Sequence, residues 1–416
     1  MGISRGRLQD GDRRGSLVGA FLWVTAFQAA LGCSGGAGLT SHDAGGSAQD
    51  GGDALDAGSG VVVRRLSAGA GHTCAIEPDE TVSCWGSNVD GELGDGTDVD
   101  RPTPGKVTGV TGMMSVSSGS YHNCALSFSG TDVCWGWNSD GQIGDGTMTN
   151  AVDAYMLPGF RRVVAIATGG YHSCAVMADG SAKCWGQGGV GQLGDGGETD
   201  SQVPVNVFSL PPSATIAAAG RHTCTVVHDG INDGTVQCWG ENSSGELGDD
   251  ASTDQAFPLP VPGLSGAVAL AAGFDHNCAL VTGGQVFCWG ANDSGQLGNG
   301  SFTDSSMPVA VAGLPAATFI AAGYDHTCAI LGDGTLRCWG SNTAGQLGDG
   351  TTTNRATPVA VTGLSQVTAV AGGSVHTCAA TTDGTVFCWG SNDSGELGDG
   401  TTTNHPTPAA VAGVRL

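Results

Sequence analysis

Short apolar runs broken by polar turn residues set the rhythm of residues 61–416. Between 317 and 361 the runs are ATFIAAG (317–323), HTCAIL (326–331), TLRCWG (335–340) and TPVAV (357–361), separated by Gly, Asp, Asn and Pro. Runs of this length between such clusters read as β-strands. Gly332-Asp333-Gly334 suits a three-residue hairpin loop, a type I turn whose last residue enters the left-handed region that Gly tolerates.

The pattern recurs. His-x-Cys begins at His72, His122, His172, His222, His276, His326 and His376, at intervals of 50, 50, 50, 54, 50 and 50. Cys-Trp-Gly follows each time, at Trp85, Trp135, Trp185, Trp239, Trp289, Trp339 and Trp389. Gly-(Glu/Gln)-(Leu/Ile)-Gly-(Asp/Asn) comes next, from Gly91–Asp95 to Gly395–Asp399. Seven units fill 61–416 and leave no room for a second domain. Four short strands per unit predict an all-β, seven-bladed β-propeller with four antiparallel strands in each blade, because radial repetition leaves only short, protected sheet edges. An open solenoid would need distinct capping units, and none is visible.

The run G-x-x-H-T-C-A-(I/L), then D-G-T-(V/L)-x-C-W-G-x-N, then G-(Q/E)-L-G-D-G-T resembles the repeat of the regulator of chromosome condensation, a seven-bladed propeller family. Three signatures at fixed offsets carry the resemblance through all seven units. It implies a scaffold with divergent tasks: eukaryotic relatives include a nucleotide-exchange factor for the GTPase Ran, and secreted bacterial relatives include an inhibitor of β-lactamases. Fold alone therefore assigns no activity.

Composition agrees with turn-dense strands. Of 416 residues 73 are Gly, with no collagen period, and only 13% are charged, which disfavours extended helix, while 40% hydrophobic residues are enough for a folded core. The formal charge of −24 repels phosphate backbones and anionic lipid, so no nucleic-acid partner is expected.

Residues 1–32 read as an export signal. Arg5, Arg7, Arg13 and Arg14 precede an uncharged apolar run, Leu17 to Leu31, that is shorter than the roughly 20 residues a spanning helix needs. Ala30-Leu31-Gly32-Cys33 resembles a lipoprotein cleavage box, although Leu31 stands two places before the Cys where such boxes usually have Leu three places before it. Cys33 is thus the candidate lipidation site, and the Gly, Ala, Ser and Asp that dominate residues 33–60 read as a tether. This expects an exported chain, anchored through Cys33 at the outer membrane or cell surface of a bacterium.

The other 14 cysteines pair as 74/84, 124/134, 174/184, 224/238, 278/288, 328/338 and 378/388. In six units the midpoint falls on the middle of the turn, so Cys74 faces Cys84, Cys124 faces Cys134, Cys174 faces Cys184, Cys278 faces Cys288, Cys328 faces Cys338 and Cys378 faces Cys388. In the fourth unit four extra residues, read as two per arm, keep Cys224 opposite Cys238. An exported chain favours disulfides. Zinc pairs would show C-x₂₋₄-C spacing, which is missing, so neither metal nor cofactor is expected. Family members usually carry a small or hydroxyl residue before the Trp, which makes these pairs a local elaboration.

Candidate chemistry is sparse. One His per unit at an equivalent place reads as a hydrogen bond to the neighbouring blade, and the repeated Trp as packing between blades. The loops around Asp90, Asp140 and Asp393 fail the EF-hand pattern and read as Asx turns. Ser391 to Gly395 brushes against a sialidase Asp box, but the arginine cluster and tyrosine nucleophile are missing. More informative is the variable pair before each His: Ala70-Gly71, Ser120-Tyr121, Gly170-Tyr171, Gly220-Arg221, Phe274-Asp275, Tyr324-Asp325 and Ser374-Val375. Equivalent blades would place Tyr121, Tyr171, Arg221, Phe274, Asp275, Tyr324 and Asp325 in one ring on one face, and these residue types suit recognition.

The leading functional reading is a monomeric, lipid-anchored binding scaffold for a protein or cell-envelope ligand, not an enzyme. The alternatives are a guanine-nucleotide exchange factor, which an export signal opposes, and a propeller hydrolase or lyase, for which no nucleophile with a base is present.

Overall fold

The computed structural model describes residues 54–55 and 62–416. The signal segment, Cys33 and nearly all of the tether lie outside the described residues.

From Leu66 to Arg415 the chain forms seven four-stranded antiparallel sheets, each made of strands consecutive in sequence, and no helix occurs among the described residues. In the sixth blade the strands are Ala317–Ala322, His326–Leu331, Leu336–Gly340 and Arg355–Ala360. The second strand is buried along its whole length, because each face of the blade is covered by a neighbouring blade. Between the second and third strands, Gly334 adopts φ +75° and donates its N–H to the Leu331 carbonyl at 2.9 Å, which brings Cys328 directly opposite Cys338.

In blade four the insertion departs from the two-per-arm reading. The strands remain His222–Val227 and Val236–Gly240 with Cys224 opposite Cys238, and all the extra residues widen the loop. The physical reason is local. The Asp229 carboxylate accepts the N–H groups of Ile231 and Asn232, and Gly230 and Gly234 sit at positive φ, so the segment turns instead of extending the ladder.

Apolar clusters lie between blades. Cys328, Ile330, Leu336, Leu347 and Val361 of blade six pack with Val367, Val370, Ala379 and Trp389 of blade seven. Leu66, Ala68, Ala75 and Trp85 of blade one meet Ala369, Ala371, Val386, Leu397 and Val411 of blade seven in the same manner, which closes the ring. Blade seven is completed by its own last strand, His405–Arg415, so no strand is exchanged at the closure. The third signature owes its second Gly to this packing: at Gly348 (φ +68°) a Cβ would lie 2.7 Å from Nε1 of Trp389.

One position breaks the apolar pattern. Where the other units carry Val82, Ala182, Val236, Val286, Leu336 and Val386, blade two carries Asp132. Its ladder partner Leu126 and its face neighbour Cys134 belong to the cluster with Met114, Leu157, Phe160 and Val163. Asp132 is fully buried, neither carboxyl oxygen has a hydrogen-bond partner, and burial holds the carboxyl well above its usual range.

Candidate functional face

The repeated His and Trp build the joints between blades. Each His is fully buried, and in six blades its Nε2 bonds an oxygen of the residue that follows the equivalent His of the next blade, at 2.7–2.9 Å. The last of these, His376 to Thr73, spans the closure. In blade four the Asn277 amide donates to His222 Nε2 instead. The same Thr, Ser or Asn donates to the main-chain carbonyl of the Glu or Gln in the third signature, as Thr377 does to Gln346 at 2.8 Å. The Trp389 indole N–H donates to that carbonyl too, at 2.9 Å. With the hydroxyl proton committed to the carbonyl, the hydroxyl oxygen accepts, so His326 presents a protonated Nε2. Burial lowers the imidazoles to about 3 (His122, His172, His276, His326) or about 4 (His72, His222, His376), so all are neutral at pH 7.

All seven cysteine pairs form disulfides, with S–S distances of 2.04–2.13 Å. The Asp of the third signature makes an Asx turn: Asp349 Oδ1 accepts the N–H and hydroxyl of Thr351 at 2.9 and 2.6 Å, and Asn299 accepts the Ser301 N–H at 3.0 Å. Among the described residues no group of three or more His, Cys, Asp or Glu is placed to hold a metal ion.

The variable pairs do share one face. The first strands of all seven blades line an axial funnel of about 120 Å³. The first residue of every pair donates its main-chain N–H to a carbonyl of the next blade, from Ala70 to Ser120 through Ser374 to Gly69. This backbone ring circles the mouth, and the side chains on it fall into three groups. Phe274 and Tyr324 lie at the mouth with ring centroids 4.6 Å apart, and the Tyr324 hydroxyl bonds that of Ser120 from blade six to blade two. Tyr121 (38% exposed) and Tyr171 pack with Trp137, the three ring centroids 5.7–6.5 Å apart, and the Arg221 guanidinium lies 5.5 Å above the Tyr171 ring. Asp275 and Asp325 form the third group with Glu241. Burial and the neighbouring carboxylates of Glu241 and Asp325 push Asp275 up to about 6, against the pull of Arg221.

Trp137 and Glu241 were not in the ring read from sequence. Both follow Cys-Trp-Gly, at a position that reads Ser87, Trp137, Gln187, Glu241, Ala291, Ser341 and Ser391 across the units. Its main-chain N–H bonds the carbonyl of the second residue of the pair, as Trp137 does to Tyr121 at 2.9 Å, so variability in the two columns belongs to one surface.

The RCC1-like domain model matches residues 155–415, and models of the regulator of chromosome condensation repeat match 79–126 and, separately, 63–92 with 115–142. No curated protein matches the chain. Among solved structures, Prp20p of Saccharomyces cerevisiae, whose report concerns its binding to Gsp1p and histones, aligns at 22% identity over 81% of this chain and 87% of its own, with a TM-score of 0.71. Human WBSCR16 aligns at 22% identity over 80% and 94%, with a TM-score of 0.72. The ectodomain of the Physcomitrella patens receptor kinase CR4 aligns at 21% identity over 79% and 74%, with a TM-score of 0.51. At these identities the likeness is one of fold, and together with the domain model spanning more than half of the residues it establishes that the chain belongs to the RCC1-like propeller family.

Proposed function

We propose that the chain is an exported, lipid-anchored binding scaffold that engages a protein through the face carrying the variable pairs. The observation that carries this reading is the cluster of Tyr121, Trp137, Tyr171 and Arg221. Tyr, Trp and Arg dominate the energetics of protein interfaces, and here they gather on one face of a repeat whose recurring Trp and His are committed to the joints. The seven disulfides support an oxidising compartment, and the arginine-led apolar segment with Cys33 supports export and anchoring.

The test compares the wild-type chain with a Tyr121→Ala, Trp137→Ala, Tyr171→Ala variant in affinity capture from intact cells. Tyr324 is left in place because its bond to Ser120 crosses the funnel mouth. The expected result is loss of the captured protein with the melting transition retained. Equal capture by the variant would refute this face as the binding surface.

A further inference from the structure

Resting on the reading of this face as a binding surface, we propose that its sector in blades four to six, built from Glu241, Glu246, Asp275 and Asp325, receives a guanidinium or ammonium side chain from a basic segment of a partner protein.

The repeat itself supplies the argument. In every blade the Glu or Gln of the third signature uses one side-chain oxygen to accept the N–H two residues earlier, as Glu246 does from Ser244 and Glu396 from Ser394, both at 2.8 Å. In three blades the other terminal atom reaches the residue that follows Cys-Trp-Gly. Glu396 Oε1 accepts from the Ser391 hydroxyl at 2.9 Å, and the Gln346 and Gln192 amides donate to Ser341 and Gln187 at 3.2 Å. In blade four the residue at that place is Glu241, so two carboxyl groups meet where blades three, six and seven pair a donor with an acceptor. Glu246 is fully buried, and its Oε1 has no hydrogen-bond partner.

Further carboxylates extend in a chain from this unmatched acceptor. Asp275 and Glu241 act on Glu246, Asp325 acts on Asp275, and Asp293 acts on Asp325. Burial, with Asp275 and Glu241 beside it, pushes Glu246 up to about 7. The ion pairs among the described residues lie elsewhere, on Asp95, Glu77, Asp79, Asp233, Asp349 and Asp399. Arg221, the nearby cation, is turned onto Tyr171.

The sector therefore combines a buried acceptor without a donor, mutual repulsion among carboxylates, and the aromatic pair Phe274 and Tyr324, which precede Asp275 and Asp325 in the chain. A guanidinium or ammonium group answers all three: it pairs with the part-exposed carboxylates of Glu241 and Asp275, offsets the repulsion they exert on the buried Glu246, and can lie against an aromatic face. A bare metal ion does not fit, since no three of these groups converge on one point. The occupant is a cation on a flexible stem, as in Arg or Lys.

The probes are acetylated, amidated peptides of alternating Gly-Arg, Gly-Lys and Gly-Glu, titrated calorimetrically into the full oxidised chain. Saturable binding of the Arg and Lys peptides, and none of the Glu peptide, is expected. A Glu246→Gln, Asp275→Asn variant should bind the basic peptides about tenfold more weakly or worse. Gln occupies the Glu246 position in four other blades, at Gln142, Gln192, Gln296 and Gln346, so the substitution is compatible with the fold. An Asp79→Asn, Asp383→Asn variant, which removes as much charge from exposed hairpin loops, should bind like wild type. Equal weakening by both variants, no weakening by the first, or no saturable binding would overturn the proposal. The aromatic triple variant should keep its affinity for the basic peptides, so failure of the aromatic surface and failure of the acidic sector are read in separate experiments.

Discussion

Replacing Asp132 with Val should stabilise the propeller, by an amount that grows with pH. In the folded state the Asp132 carboxyl is buried without a partner at a position that six other blades fill with Val, Ala or Leu. Two effects add. A neutral buried polar group with no hydrogen bond costs about 1–3 kcal/mol. Proton linkage adds more, because the folded carboxyl is held well above its ordinary value of 3.8. The native state then keeps a proton that the unfolded chain has released. Stability from this group is fully present below pH 3.8 and is lost as pH rises toward the folded value, at about 1.4 kcal/mol per pH unit. Asp132→Val should therefore gain the roughly 1–3 kcal/mol of the unpartnered group at low pH and progressively more as pH rises above 3.8. At about 2 °C per kcal/mol for a large domain, the unpartnered group alone should raise the midpoint by roughly 2–6 °C, and the linkage adds to this as pH rises. Calorimetric melts of both chains at about pH 5, 6 and 7, with disulfides intact, test this, and the gap should widen at each step. The reciprocal Val386→Asp in blade seven should lose stability with the same pH sense. A gain that is absent, or the same at every pH, would show that Asp132 is hydrated or paired and would refute the reasoning.

Three further outcomes follow from the joints and staples. Removing one hairpin disulfide with Cys328→Ser and Cys338→Ser should cost about 2–3 kcal/mol or less, since the bond closes a short loop already held by the hairpin, and alkylation with intact mass should find the other six pairs oxidised. Thr377→Val strands the His326 Nε2–H and removes a donor from the Gln346 carbonyl, which should cost about 2–3 kcal/mol in chemical denaturation, whereas Thr377→Ser should cost under half of that. Acidification should destabilise the fold. Each joint histidine contributes stability that is present above pH 6.5 and lost as pH falls toward its folded value of about 3 or 4. Glu92 and Glu246, at about 7, Asp275, at about 6, and Asp132 work in the opposite sense, but seven histidines outnumber them. A melting midpoint that climbs steadily between about pH 6.5 and 4.5 would contradict this balance.

What was legible in the sequence is what repeats in place. The Thr, Ser or Asn and the Trp recur at fixed offsets because both must reach the same carbonyl on the neighbouring blade, and the His recurs because it must reach that Thr, Ser or Asn, so periodicity alone exposes the joints. Cysteine opposition is equally visible, since a three-residue turn determines which residues face each other. The insertion in blade four reads as two residues per arm because parity constrains only its length, whereas its Asp and Gly content puts it in the loop. The surface was only half visible. Tyr121 and Tyr171 stand out in one variable column, but Trp137 lies in another, joined to the first by the hydrogen bond from Trp137 to Tyr121 across one blade. The acidic sector needs an absence to be noticed: Glu246 looks ordinary beside Glu92 and Glu396 until the Ser391 hydroxyl shows what Glu241 cannot supply.

The closure of the ring has a consequence for how such a protein can change. Since blade seven ends with its own fourth strand, no clasp distinguishes the meeting of blades seven and one from the other six meetings. Thr73 receives from His376 and donates to Glu396 just as Thr377 receives from His326 and donates to Gln346. The count of seven is then a property of the wedge each blade forms, not of a latch at the ends of the chain. New termini could be opened between any two blades, and the old ends joined, with every joint left intact. A whole unit can likewise be copied or lost as a single length of chain, but a ring of six or eight would close only if every wedge changed its angle together, while the two columns of variable residues on the mouth face are free to change one blade at a time.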